Sequence, residues 1–142
     1  MHRITRAALA AAAASALTLG GAVAAQAAPA IPLNNGQETT GADGGGHGFF
    51  SYDIDGDQFC YSLEVDRLTA PAVAAHIHVG DRRTAGPVVI PLSVGTGTSF
   101  EVSDCVTADP ALLAAIEDDP GDYYVNVHTP TYPGGEVRGQ LK

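Results

Sequence analysis

The sequence predicts an all-β domain, a β-sandwich or barrel with one short helix. From residue 48 onward, apolar and polar residues alternate with a period of two rather than 3.6. The 142 residues include 17 Gly and 9 Pro, which favours short strands joined by many turns. Only one segment combines an N-cap residue with a continuous apolar run of helical length.

The alternating pattern assigns seven strands, and the N-cap residue with its apolar run assigns one helix. Asp55-Gly56-Asp57 is predicted to be a hairpin turn, because Asp and Gly tolerate the positive φ that such turns need. The helix is predicted over 109–117, with Asp109 as N-cap and Pro110 at the first helical position. An edge strand is expected near 31–33. The other predicted strands are 48–54, 59–65, 74–79, 87–92, 99–102, 122–128 and 136–141.

The N-terminal segment, residues 1–27, is predicted to be a secretory signal peptide. Arg3 and Arg6 precede an Ala-rich apolar stretch, and Ala25-Gln26-Ala27 fits a cleavage site. The alternative is a short membrane anchor, which the shortness of the run disfavours. Residues 28–46 are predicted to be a flexible lead-in and residues 47–142 a single β domain. We therefore expect a secreted protein with no membrane span after cleavage.

Charge and cysteine content restrict the function classes. The chain has 7 Lys+Arg and 16 Asp+Glu, a net charge of −9, so nucleic acid is not an expected partner. Cys60 and Cys105 are the only cysteines, and in a secreted chain an even count predicts a disulfide. A zinc-thiolate site is not expected, because the two cysteines lie far apart with no CxxC spacing.

The alternation of side chains along strands groups several polar residues together. Residues two apart on a strand point the same way, so Ile77 and Val79 take one face and His76 and His78 the other. The same parity applies to the last two predicted strands. If the apolar faces share one core, the residues on non-core faces are His76, His78, Asn126, His128, Glu136, Arg138 and Gln140.

Two hypotheses follow for this polar face. The first is a copper or zinc site at His76, His78 and His128, since neutral imidazole binds both metals, with His47 as a candidate fourth ligand. The second is a structural hydrogen-bond network of His76, His78, Asn126, His128, Glu136 and Arg138. A histidine on a solvent-facing strand is most often simply a polar residue, which favours the network.

Catalytic motifs are absent from the sequence. No Ser lies in a GxSxG elbow, and both cysteines are expected to be oxidised. The glycine run 44–46 leads into a strand and not into a helix, so it is not a phosphate-binding loop. We therefore expect a protein that is not an enzyme.

Three segments resemble the CHRD domain, a module named after chordin that also occurs in secreted bacterial proteins. They are Ala75-His76-Ile77-His78-Val79-Gly80, Gly86-Pro87-Val88-Val89, and the run 123–129 continued by 132–141. The resemblance covers residues 31–142. It implies an immunoglobulin-like β-sandwich or barrel with limited similarity to copper/zinc superoxide dismutases. It implies no activity, because the family has no settled molecular function.

The dismutase similarity bears on the histidines. Those enzymes place an HxH strand and a late histidine around copper, a pattern that His76, His78 and His128 match loosely. Their long zinc loop has no counterpart, since the loop 81–86 is short and contains no histidine. Dismutase activity is therefore not expected.

Together these observations predict a secreted structural or binding module whose partner is an unidentified extracellular protein or envelope component. No cofactor is expected in that case. The alternative is a protein that binds copper or zinc through the three histidines.

Overall fold

The computed structural model describes residues 29–142, and within them the fold is all-β with one α-helix, as predicted. The predicted signal peptide lies outside the described residues. The helix α1 is Pro110–Asp118, and the strands are β1 Ile31–Asn34, β2 His47–Asp55, β3 Gln58–Asp66, β4 Ala74–Val79, β5 Val88–Leu92, β6 Phe100–Thr107, β7 Tyr123–His128 and β8 Val137–Gln140.

The eight strands form one sheet in the order β5-β4-β7-β8-β1-β2-β3-β6, and each pair is antiparallel. The two end strands, β5 and β6, contact each other. Ser93, next to β5, donates from Oγ to Asp104 on β6 (2.8 Å) and from its backbone N–H to the Tyr61 hydroxyl (2.7 Å). The sheet therefore curls into a nearly closed barrel, which protects both edges.

Most apolar side chains of the strands turn inward, as the period-two pattern predicts, with Phe49 on β2 and Val88 on β5 as exposed exceptions. Phe50, Leu63, Ile77 and Val125 are fully buried members of one continuous core. The helix adds Leu113 and Ile116 to this core. Its N-cap is Asp109, as predicted, whose side chain accepts a hydrogen bond from the Ala111 N–H at 2.8 Å.

Two strand predictions need correction. The expected edge strand near 31–33 is instead an interior strand, β1, between β8 and β2, because Ile31 and Leu33 both point into the core. β6 extends to Thr107 rather than ending at residue 102. Ser103 and Asp104 broke the apolar alternation there, yet the segment pairs with β3 residue by residue.

The predicted disulfide is present and joins Cys60 on β3 to Cys105 on β6. The two residues are directly opposite each other in the strand register, with Cα atoms 4.0 Å apart. The bond therefore ties the end strand β6 to its neighbour. Within residues 29–142, no helix has the length and apolar character needed to cross a membrane.

Candidate metal centre

The outer face of β4, β7 and β8 is polar but buried. Asn126 and Arg138 are 1% exposed, and Glu136, which immediately precedes β8, is 0% exposed. The parity prediction placed these residues on a non-core face, and they do point away from the apolar core. The face is not open to solvent, however, because neighbouring loops cover it. Thr40 donates to the Gly135 carbonyl (2.8 Å) and Tyr132 donates to Asp43 (2.9 Å), joining two of these loops.

Glu136 joins the loops at one end of this face. Its carboxylate accepts hydrogen bonds from the Thr69 N–H (2.7 Å), the Thr69 hydroxyl (2.8 Å) and the Thr129 hydroxyl (2.7 Å). Its backbone carbonyl accepts from Asn35 Nδ2 (2.7 Å). A buried carboxylate with three donors is a satisfied structural group.

Arg138 holds the loop that connects β4 to β5. Its guanidinium donates to the Thr84 carbonyl (2.9 Å), the Asp81 carbonyl (2.8 Å) and Gln140 Oε1 (3.3 Å). Its Cζ atom also lies 3.3 Å from the centroid of the Tyr124 ring, a cation–π contact. Burial lowers the pKa of Arg138, while the Tyr124 and Glu38 groups act in the opposite direction.

Gln140 completes the polar face at the other end. Its side-chain amide donates to the Gly80 carbonyl and to the Gly121 carbonyl, each at 2.7 Å. The network hypothesis for Glu136 and Arg138 therefore matches their hydrogen bonding. The network partners are mostly loop backbone carbonyls and threonines rather than the histidines.

The three histidines of the metal hypothesis come together. One nitrogen from each of His76, His78 and His128 lies within 4.8 Å of the other two. His76 Nδ1 and His128 Nε2 are hydrogen-bonded at 3.0 Å. The sheet register explains the grouping, because β4 and β7 are neighbours and all three side chains leave the sheet on the same face.

Backbone carbonyls fix the orientation of two rings. His78 Nδ1 donates to the Gly86 carbonyl and His128 Nδ1 donates to the Pro133 carbonyl, both at 2.9 Å. A carbonyl oxygen can only accept, so each Nδ1 carries a proton, and in the neutral ring Nε2 then presents a lone pair. The His128 lone pair accepts from His76. The His78 Nε2 atom is buried and has no hydrogen-bond partner among the described residues.

Stacking further restrains His78. The Tyr124 ring lies parallel to the His78 ring, at an interplanar angle of 5° and a centroid distance of 4.7 Å. The Tyr124 hydroxyl accepts from the Gly86 N–H (3.1 Å), and Gly86 is the residue whose carbonyl holds His78. Arg138, Tyr124 and His78 thus form one stack, which limits rotation of the imidazole.

The environment of the cluster favours the neutral form of His76 and of His128. Burial lowers the pKa of His76, and the nearby His128 and His78 lower it further. Burial also lowers the pKa of His128, against an opposing effect of its bond to Pro133. Neutral imidazole is also the form in which a ring nitrogen keeps a lone pair.

His47 does not belong to this cluster, which corrects its assignment as a candidate fourth ligand. It lies on β2, three strands away from β7 in the sheet. Its ring contacts the Gly45 carbonyl (3.3 Å) and Arg67 Nη2 (3.4 Å) instead. The sequence could not show this, because the strand order that separates β2 from β4 and β7 is set by long-range pairing and not by local pattern.

Two residues of the site were missed from the sequence. Tyr124 has the correct parity but was not assigned a role. Glu38 lies in the segment predicted as a lead-in, and burial raises the pKa of its carboxyl from 4.5 to about 7, against the lowering effects of Arg138, the Thr39 backbone and Asn126. Only the packing of the loop after β1 onto the outer face explains its burial.

Comparison with known proteins identifies the fold family. The family model described as CHRD domain matches residues 25–141. The chain belongs to the CHRD domain family. No match is found among curated proteins or among solved structures. In this CHRD domain, the residues that carry the resemblance are also those that build the buried polar face, including the histidine cluster.

Proposed function

We propose that this CHRD domain is an extracellular binding module that holds one Cu(II) or Zn(II) ion at His76, His78 and His128. The observation that carries the proposal is the placement of three imidazole nitrogens within 4.8 Å of one another. Ligands of a tetrahedral zinc ion with 2.0–2.1 Å bonds are about 3.3 Å apart. Small rotations of the rings would therefore be enough to bring all three onto one ion.

The hydrogen bonds made by the other ring nitrogen of His78 and of His128 also support a metal site. Metal-binding histidines usually donate their other ring N–H to a carbonyl or carboxylate, which fixes the tautomer. His78 and His128 do so with Gly86 and Pro133. For His76, the proton on Nδ1 would move to Nε2 when the metal replaces the His128 contact, so no net charge change is required.

A purely structural network accounts for less of the geometry. It explains Glu136, whose carboxylate has three donors, and Arg138, which is bonded to two carbonyls. It gives no reason for the buried lone pair of His78, since leaving such a group unpaired costs about 1–3 kcal/mol. The network holds the loops around the three histidines and so supports the proposed metal site.

Secretion and an extracellular partner form part of the same proposal. The Cys60–Cys105 disulfide is stable in an oxidising compartment, and the first 27 residues have the composition of a signal peptide. An extracellular protein or envelope component is the proposed class of partner. The proposal assigns the module no reaction.

Isothermal titration with Cu(II) and with Zn(II) tests the metal proposal. The titrated protein is the secreted chain, residues 28–142, produced without a histidine tag, so His2 and its neighbouring N-terminal amine do not compete for Cu(II). We expect one ion per chain with a dissociation constant of about 1 µM or below, about −8 kcal/mol. His78→Gln should weaken binding at least about 100-fold, because loss of outer partners alone costs 10–100-fold.

His47→Gln is the matched control, since it removes a histidine outside the cluster. It should leave the affinity unchanged, and circular dichroism should show that both variants are folded. Binding no tighter than millimolar, or equal losses in His47→Gln and His78→Gln, would exclude the site. In that case, a stable fold that depends on Glu136 would favour the structural module.

A further inference from the structure

The proposed metal site has fewer protein ligands than the metal needs. Within residues 29–142, the group that can hold an ion contains His76, His78 and His128 and no further His, Cys, Asp or Glu. Zinc prefers four ligands, and three protein ligands with one open position are the pattern of sites that exchange a water molecule. Three neutral imidazoles also leave the charge of a divalent ion uncompensated.

Solvent reaches this cluster from one side. His78 is 7% exposed and His128 is 9% exposed, so loops and strands enclose both rings. His76 is only partly buried. An ion held by the three rings would therefore be open to water on the side of His76.

A buried acceptor lies next to the same cluster. Asn126 is opposite His76 in the strand register and two residues before His128, so its side chain leaves β7 on the histidine face. The residue is 1% exposed, and its Oδ1 atom receives no hydrogen bond from any part of the chain that the structure describes. Buried amide oxygens are nearly always paired, with protein or with ordered water.

The missing donor does not come from the loop on the other side of Asn126. The amide nitrogen, Nδ2, donates weakly to the Gly134 carbonyl at 3.4 Å. Nδ2 and the Glu38 carboxyl also both lie next to Gly135, where an added Cβ atom would contact them. Oδ1 is therefore left for a donor outside this set of contacts, and water on a metal ion is a strong one.

We propose that the metal ion in this site keeps one coordination position for an exchangeable water molecule, and that Asn126 Oδ1 accepts a hydrogen bond from that water. This inference rests on the metal-binding function proposed above. It makes the site accessible to small anions such as azide, which would displace the water. Asn126 is thus a positioning residue and not a metal ligand.

The test uses the secreted chain, residues 28–142, loaded with one equivalent of Cu(II). Electron–nuclear double resonance in H₂O and in D₂O should show strongly coupled exchangeable protons of a copper-bound water, distinct from the weakly coupled N–H protons of the imidazole ligands. Azide should abolish this signal and produce a saturable charge-transfer absorption at one azide per copper. In Asn126→Leu, half-saturation should need about 2- to 10-fold less azide, as expected for loss of one neutral hydrogen bond to the water.

Thr40→Val is the matched control, because it removes a hydrogen bond to Gly135 in the neighbouring loop and leaves Asn126 intact. It should show the azide affinity of the parent. If Asn126→Leu does not fold, Asn126→Ala, which also lacks the acceptor, replaces it. The copper measurements on the parent protein need neither variant.

The outcomes separate the two proposals. Copper that binds at the histidines, but shows no strongly coupled water proton and no response to azide, overturns the open position and leaves the metal function intact. An exchangeable water with the same azide affinity in Asn126→Leu and the parent overturns the role of Asn126. Failure to bind copper at all overturns both.

Discussion

The two faces of the sheet at β4, β7 and β8 are both buried, but by different means. The inner face carries Ile77, Val125 and Val127 and is held by the non-directional burial of apolar surface. The outer face carries Arg138 and the neighbouring Glu136 and is held by directional bonds to loops. Apolar faces tolerate exchange of similar shapes, whereas buried polar faces fail when one partner is altered.

The difference between the two faces also indicates where the candidate functional site lies. On the outer face, the Glu136 carboxylate accepts three hydrogen bonds and is fully satisfied. Only a few atoms there remain without partners, and these include His78 Nε2, Asn126 Oδ1 and Glu38 Oε1. His78 Nε2 and Asn126 Oδ1 are acceptors that lack a donor or a cation, whereas the Glu38 carboxyl, with its pKa raised to about 7, can donate when it is protonated. The inner face has no comparable requirement.

The largest effect is expected from Glu136→Gln. The substitution preserves volume but replaces three charge-assisted hydrogen bonds from Thr69 and Thr129 by neutral ones, and both hydroxyls must turn to accept from the new NH₂ group. We expect a loss of about 3 kcal/mol in the free energy of unfolding, measured by urea titration. Ile77→Val on the inner face is the control and should cost about 1 kcal/mol. Equal costs would remove the distinction between the two faces.

A smaller effect is expected from Glu38→Gln, and its size should depend on pH. Because the folded-state pKa is raised from 4.5 to about 7, the stabilisation from the protonated carboxyl is lost as pH rises through 7. Gln stays neutral, so its advantage over Glu should grow by about 1–2 kcal/mol between pH 5 and pH 8, after allowance for partial exposure.

Urea titrations of Glu38→Gln and the parent at the two pH values measure this change. A difference between them that is the same at pH 5 and pH 8 would contradict the assignment of a buried, neutral Glu38.

The smallest effect is expected from the histidines in the metal-free protein. Burial lowers the pKa of His76 and of His128, so below about pH 6.5 the unfolded chain binds more protons than the folded one. Stability should therefore fall between pH 7.5 and pH 5.5 through these groups, by less than the change expected for Glu38, because His76 is only partly buried. The double variant His76→Gln, His128→Gln should lack this part of the fall, and His47→Gln should retain it. A double variant whose stability falls with decreasing pH as steeply as that of the parent would contradict this prediction.

The sequence predicts the strands and the helix of this fold better than the loops that pack over the sheet. The bounds of β4, 74–79, are as predicted, and so is the parity that brings His76, His78 and His128 to one face. Both results depend on local alternation. The interior position of β1, the burial of Glu38 and the bonds to Gly86 and Pro133 depend on loops folding over the sheet, and local patterns carry no information on that packing.

A crystal structure grown with one equivalent of Zn(II) or Cu(II) tests the central claim directly. The account predicts one anomalous scatterer about 2.0–2.2 Å from His76 Nδ1, His78 Nε2 and His128 Nε2, with the Gly86 and Pro133 carbonyl bonds retained. A metal-saturated crystal in which His76 and His128 keep their direct hydrogen bond, with no ion between the three rings, would contradict it.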